Sequence, residues 1–422
     1  MLKKIEIDQL RVGMYVQELC SSWIDTPFWQ KSFMLVDPEE LKKIQATRIR
    51  QAWIDTDKGL DVLPEASGKP KMEPAPAAEP LPPSEPASPV APSVPAAPRQ
   101  VVAVSMEDEL GRASQIVNKS KEAVYSMFNE ARMGKAVDVG NAQNMVEEIA
   151  DSVMRNPGAL IGLARLKTKD DYTYMHSVAV CALMVALAKQ LGLNDEETRE
   201  AGLAGLLHDI GKMMVSADIL NKPGKLTDAE FVSVKEHPVA GYKMLKESEA
   251  VSAIALDVCL HHHEKIDGSG YPNRLKGEEI SLYSRMGAVC DVYDAITSDR
   301  PYKQGWCPAE SLRKMAEWSS GHFDEKIFQA FVKSIGIFPV GTLVRLESGR
   351  LGVVVEQQVG KSLLLPKVRI FFSLRSMGYI APELIDLSRP GMNDKIASRE
   401  DAVKWGLKDI NRYWLGDAAV NR

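Results

Sequence analysis

Cysteine is scarce in this chain, and scattered where it occurs. The five cysteines, Cys20, Cys181, Cys259, Cys290 and Cys307, form no CxxC pair among 422 residues. That spacing excludes a disulfide scaffold and a thiolate zinc cluster, and three of the thiols lie in apolar helical stretches as buried, reduced groups. Long apolar runs are missing as well. The longest, Val178–Ala188, falls short of the roughly 20 residues that cross a bilayer. The N-terminal stretch MLKKIEIDQLRVG lacks the apolar core of a secretory signal. A cytoplasmic protein without a membrane span is expected. Basic residues are not in excess either. With a net charge of −5, no global field draws a nucleic-acid polymer, and an anionic substrate must be met by local cations or metals.

Proline marks the organisation. Residues 64–98 hold 12 of the 24 prolines, mixed with Ala, Ser and Glu, a composition that supports neither helix, sheet nor core. Such a linker is semi-rigid, and at ~3.1 Å per residue it reaches on the order of 100 Å. Before it, residues 1–63 alternate apolar and polar in short runs, with a helical stretch from Pro38 to Ile44 and a last strand at Ala52–Ile54, which predicts a small α+β module. Trp23, Phe28, Trp29 and Phe33 cluster there. Core filling accounts for them, and a ligand-binding aromatic surface is the alternative.

After a linker spanning 64–104, helical periodicity runs through 106–132, 141–154, 172–191, 195–207, 228–246, 249–262, 281–298, 308–318 and 324–334. A lead-in at 105–144 and a domain at 145–335 are expected, together an all-α bundle of eight or nine helices. Short Val-, Leu- and Ile-rich runs follow at Gly341–Leu346, Gly352–Val359, Ser362–Leu365 and Val368–Phe372, predicting a small β-rich extension over 336–390. A polar tail over 391–422 shows weak helical pattern near 399–414.

Histidine is rare, with seven in the chain, yet four fall in two short segments, His208 and His261 to His263, with His176 and His237 flanking the first. One histidine on an apolar helix face is ordinarily a satisfied core residue. A set of them beside carboxylates is a metal site. His208-Asp209 places two ligand types side by side, and Asp209 has two oxygens with which to bridge. Asp291 emerges from an apolar helix, where an unpaired carboxylate is costly. His176, His208, Asp209, His237, His262, His263 and Asp291 are too many for one zinc site and suit a pair of ions. A two-metal site suits phosphate ester hydrolysis. Lys212, one turn beyond the ligand pair, adds positive charge for a phosphate. The run Asp267-Gly268-Ser269-Gly270-Tyr271-Pro272 follows the ligands directly, and its glycines permit φ > 0 and close backbone approach. Arg300 and Lys303 offer two further cations.

The combination HDIGK, HHEKIDGSGYP and DVYDAITSDRPYK resembles the HD-GYP subfamily of the HD metal-dependent phosphohydrolases, over about residues 145–335. The resemblance implies hydrolysis of the bacterial messenger cyclic di-GMP to linear pGpG or onward to GMP. It implies iron or manganese as the two divalent ions. His176, His208 and Asp291 complete one, His237, His262 and His263 the other, and Asp209 is shared. It places substrate contacts on Lys212, Asp294, Arg300 and Lys303 and on the loop residues Gly268, Gly270, Tyr271 and Pro272. His261 is extra to the ligand set. Where some members carry a glutamate for a third metal, this chain has Tyr172, so a binuclear site is expected. Ser281 stands where a proline is expected. The N-terminal module is similar to a domain that often precedes HD-GYP, and the β-rich segment to one that follows it. Expected partners are cyclic di-GMP, signalling proteins docked on the N-terminal module or the signature loop, and a second copy as a homodimer. The rival expectations are a sensor that binds cyclic di-GMP without cleaving it, and an HD phosphohydrolase for another nucleotide.

Overall fold

A computed structural model describes residues 2–20, 33–36, 38, 41, 51–60, 102–167, 171–220, 222, 224–248, 251–298, 305–358 and 360–416. They fall into two units, Met1–Val94 and Pro95–Arg422. Arg300, Lys303, the proline-rich segment, Trp23, Phe28 and Trp29 lie outside the described residues, as does most of the expected helix after Pro38.

The first unit is a four-stranded antiparallel sheet in the order β1-β4-β2-β3, with β1 Leu2–Glu6, β2 Tyr15–Cys20, β3 Phe33–Met34 and β4 Gln51–Asp55. Alternation in the strands puts Ile5, Val16 and Ile54 on one face, where Leu10, Met14 and Leu35 close a small core.

The second unit is mainly helical, as the periodicity predicts. Its axis is the helix Tyr172–Gln190, buried without interruption from Met175 to Ala188. A helix apolar on all sides must be wrapped by others, and this one packs against the helices Met106–Arg132, Val139–Arg155, Pro157–Arg165, Asp195–Leu207, Leu282–Thr297 and Glu325–Ile335. By length and composition it could cross a membrane, but 78% of its apolar window is buried inside the bundle. Asp195–Leu207 starts with a capping box between Asn194 and Glu197, three acidic residues in its first turn, and ends at His208.

Four expectations are corrected. Helical periodicity leaves 155–171 uncovered, yet Pro157–Arg165 is a helix whose sequence, PGALIGLAR, opens on proline and holds two glycines. Pro157 sits at the first turn, where no N–H is needed, and the Asn156 side chain caps it. The expected helix 228–246 is two, Asp228–Lys235 and His237–Lys246, parted before Pro238, which cannot donate within a helix. Ser362–Leu365 forms a turn, whereas two strands went unread: β8 Gly378–Asp386, largely exposed, and the short β9 Ile396–Arg399. Of the weak helical pattern near 399–414, only Arg412–Leu415 is helical.

The C-terminal sheet runs β8-β7-β6-β5-β9, with β5 Leu343–Leu346, β6 Arg350–Glu356 and β7 Lys367–Ser373. Both of its faces are used. Leu351, Val353 and Val355 of β6 join the bundle core, while Val354 joins Val344, Leu346, Val368 and Ile370 in a second small core. The buried Glu356 carboxylate accepts from Met106 N at 3.1 Å and Asn156 Nδ2 at 3.0 Å, tying sheet to helices. Trp414 closes this junction at 1% exposure, so close to Gly162 that a Cβ there would lie 3.0 Å from its ring. Replacing Trp414 by Ala should cost about 3–5 kcal/mol, measured by urea unfolding. A loss within ~0.5 kcal/mol, as for a surface substitution, would contradict this packing.

Candidate metal centre

Six elements send side chains to one point. His176 comes from the second turn of the central helix, His208 and Asp209 from the junction between Asp195–Leu207 and the 3₁₀ turn Ile210–Met214, and His237 from the start of His237–Lys246. His262 and His263 follow the helix Ala253–His261, and Asp291 lies within Leu282–Thr297. All seven expected ligands converge.

Three of these positions are helix ends, and that explains their orientation. The last turn of a helix presents carbonyls that can accept from side chains. His208 Nδ1 lies 2.8 Å from Gly205 O, His237 Nδ1 2.7 Å from Val234 O, and His262 Nδ1 3.0 Å from Val258 O. Each ring donates there, which leaves Nε2 as an acceptor facing the centre. The break at Glu236 is what brings Val234 O within reach of His237.

Asp209 is fully buried and its two oxygens face different histidines. Oδ2 lies 3.3 Å from His176 Nε2 and 3.4 Å from His208 Nε2; Oδ1 lies 3.2 Å from His237 Nε2 and 3.7 Å from His262 Nε2. Asp291 Oδ1 is 3.0 Å from His176 Nε2, and Asp291 Oδ2 is 3.8 Å from His263 Nδ1. Within 4.8 Å of one another lie the donors of His176, His208 and Asp291, those of His237, His262 and His263, and those of His208, Asp209 and His262.

The centre fits a divalent cation on two grounds. His208 Nε2 and Asp209 Oδ1 are buried without a hydrogen-bond partner, an arrangement that costs free energy unless a cation is bound. The donors are also in ligand-ready states. Burial and neighbouring imidazoles hold His262 well below its ordinary pKa, and burial pushes His263 down to about 3, so both are neutral. Burial works against charge on Asp209 and Asp291, but Lys212 and the imidazoles around Asp209, and His176 beside Asp291, outweigh it and hold both carboxylates ionised.

Gly211 is explained by closeness rather than by turning. A Cβ on it would sit 2.0 Å from His237 O and 2.4 Å from Gly241 N, so glycine lets the His208-Asp209 turn lie against the helix that carries His237. The signature loop is built in the same way. Gly268 has φ +81°, and a Cβ on Gly270 would sit 2.5 Å from Glu264 Cα. The loop therefore folds back on the ligand segment, and Tyr271 stacks on His263 with centroids 4.8 Å apart. Pro272 follows through a cis peptide bond. The loop reaches the centre through Tyr271, while Gly268 and Gly270 shape it.

Other expected residues lie as follows. Lys212 pairs with Asp209 Oδ2 and keeps 23% of its side chain exposed. Asp294, expected at the substrate, is 2% exposed and sits behind His176, accepting from Nδ1 at 2.6 Å. His261 turns away, pairing with Asp257 at 2.7 Å and accepting from Asn273 Nδ2 at 3.1 Å. Ser281 caps Leu282–Thr297 and also donates to Asp257. Tyr172 lies flat on His176, 5.9 Å between centroids. Sequence reasoning missed Lys167, Asp257 and Asn273, which hold these groups in place.

The HD domain model matches residues 146–327 of the chain, and a domain of unknown function, DUF3391, matches residues 2–142. The chain is 54% identical to the cyclic di-GMP phosphodiesterase PA4108 of Pseudomonas aeruginosa, over 99% of this chain and 96% of that one. It belongs to the HD-GYP family. Over 35% of its length it is 41% identical to the cyclic di-GMP phosphodiesterase response regulator RpfG of Xanthomonas campestris pv. campestris, covering 39% of that protein. Over 39% of its length it is 38% identical to 3'3'-cGAMP-specific phosphodiesterase 1 of Vibrio cholerae, covering 38% of that protein. HD-GYP proteins are HD phosphohydrolases, which use divalent metals, and the donor set fits that use.

In the metal-free protein His176 has an unusual state. Burial alone would lower its pKa, but hydrogen bonds to Asp209, Asp291 and Asp294 raise it from 6.5 to about 10. Protonation of His176 therefore stabilises the metal-free fold fully below pH 6.5, and that contribution is lost as pH rises through about 10. Imidazole nitrogen NMR of chelator-treated protein should show His176 charged until about pH 10 and His263 neutral down to about pH 3. A His176 that deprotonates near 6.5 would contradict the carboxylate cage.

Proposed function

We propose that the chain is a metal-dependent phosphodiesterase that hydrolyses cyclic di-GMP to linear pGpG or onward to GMP. The observation that carries this reading is the division of Asp209, with one oxygen toward His176 and His208 and the other toward His237 and His262. His176, His208 and Asp291 would hold one divalent ion, His237, His262 and His263 a second, and Asp209 would be shared. Iron or manganese suits this mixed imidazole and carboxylate set. When bound, such a pair supplies a nucleophile at neutral pH and polarises phosphoryl oxygens.

The chain's own groups do the rest. Imidazole Nδ1–H bonds to carbonyls keep the Nε2 lone pairs aimed inward. Lys212, at the edge of the centre and partly exposed, is placed to balance charge growing on the phosphate. Arg300 and Lys303 are assigned to the second phosphate of the cyclic dinucleotide. Tyr271, stacked on His263, forms a wall for the substrate. Water adds to phosphorus, the P–O3′ bond breaks, and the released 3′ oxygen takes a proton. The nearly full-length match to a protein named cyclic di-GMP phosphodiesterase supports guanine as the base on both sides, while the match to a 3'3'-cGAMP-specific protein makes the hybrid dinucleotide the competing substrate. The same reading places the protein in the cytoplasm, with the N-terminal module, the signature loop or a second copy of the chain as contact surfaces.

The test is a product assay. Protein purified without oxygen and loaded with Fe(II) or Mn(II) should convert cyclic di-GMP to pGpG or GMP, faster than it converts 3'3'-cGAMP, with products separated by chromatography. Asp209→Ala should give none. Lys212→Ala should retain metal and lose about 10²–10³ in kcat. Wild-type turnover in either variant would contradict its assigned role, and fully metallated wild type that binds cyclic di-GMP without product would make the protein a sensor.

A further inference from the structure

Lys167 follows the helix Pro157–Arg165, and its side chain is fully buried. Its ammonium pairs with Asp294 Oδ2, donates to Ser298 Oγ at 2.9 Å, and lies 5.4 Å from the centroid of the Tyr172 ring. The same Asp294 oxygen accepts from His176 Nδ1 at 2.6 Å, and Tyr172 lies flat against the His176 ring, at an interplanar angle of 7°. Lys167 thus touches both groups that fix this imidazole, the carboxylate at its Nδ1 edge and the phenol on its face.

A buried lysine is costly unless its charge is matched, so its position needs a reason. Asp209, Asp291 and Asp294 all contact His176. Without a cation behind it, Asp294 would bring a third carboxylate to a buried ring whose other two already face it, with no fixed charge of its own to match it. With Lys167 in place, Asp294 and Lys167 cancel, and Asp294 stays where it orients His176. His208, His237 and His262 take their orientation from backbone carbonyls instead.

We propose that Lys167 is a positioning residue for one half of the metal centre: it pins Asp294 to His176 Nδ1 and so aims His176 Nε2 at the ion position shared with His208 and Asp291. This rests on the two-ion reading above and adds a residue outside the ligand set. Loss of a partner behind a metal-bound histidine ordinarily weakens metal binding about 10–100-fold. Here the loss should be confined to one of two ions.

The experiment is calorimetric titration of the full-length, metal-free chain with Mn(II), checked by a metal count after gel filtration. Wild type should take up two ions. Lys167→Met should weaken one by about 10–100-fold and leave the other unchanged. Asp294→Asn in the same background removes the stranded charge while keeping an acceptor for His176, and should recover most of the lost affinity, a recovery that a packing role would not give. If Lys167→Met alone fails to fold by circular dichroism, the double variant should fold and bind both ions, and its failure to fold would contradict charge balance as the role of the lysine. A folded Lys167→Met that binds both ions like wild type, or loses both equally, overturns the inference. Wild type that binds no ion overturns it together with the proposed function. Wild type that binds two ions and leaves cyclic di-GMP intact overturns the proposed function alone.

Discussion

The structure is organised around one buried carboxylate. Asp209 has no exposure, and four imidazoles and the Lys212 ammonium surround it. An ionised group at that depth is tolerated only if each oxygen is matched by a cation or a donor. Its neighbours come from helix ends and junctions far apart in sequence, so the position of Asp209 constrains where five helices start or stop. The fold can be understood as the scaffold that brings those ends together.

Two features of the scaffold make this possible. The central helix is apolar on every side, so it can be enclosed and still offer His176 near its start. The helix ends supply backbone carbonyls, and three histidines donate to them. Gly211 and Gly270 then let backbone approach backbone where a side chain would collide. Helix termination, ordinarily a cost in unsatisfied groups, is here the means of orienting the ring nitrogens.

Much of this was legible in the sequence, and the exceptions share a cause. The rare histidines and their adjacent carboxylates declared themselves by residue type, and all seven converge. The long periodic helices were legible because periodicity summed over several turns outweighs local noise. What failed was local or tertiary. Pro157 and Pro238 could each end or begin a helix, and the proline and glycines of PGALIGLAR mask its helical period. β8 is a largely exposed strand and carries little alternation. Asp294, which the family resemblance assigns to the substrate, is in sequence only another aspartate one turn past Asp291. In the fold the His176 ring lies between them, with Asp291 at Nε2 and Asp294 at Nδ1. Lys167 could not have been found from its neighbours in the chain, since its partner is 127 residues away.

The central claim is that Asp209 is shared between two ions. The most direct measurement is a crystal structure of the Mn(II)-loaded protein with anomalous scattering recorded at the manganese edge. The account predicts two peaks, one on each side of the Asp209 carboxylate, with His176, His208 and Asp291 around the first and His237, His262 and His263 around the second. A single peak, or two peaks with Asp209 still held by Lys212 and touching neither, would contradict it.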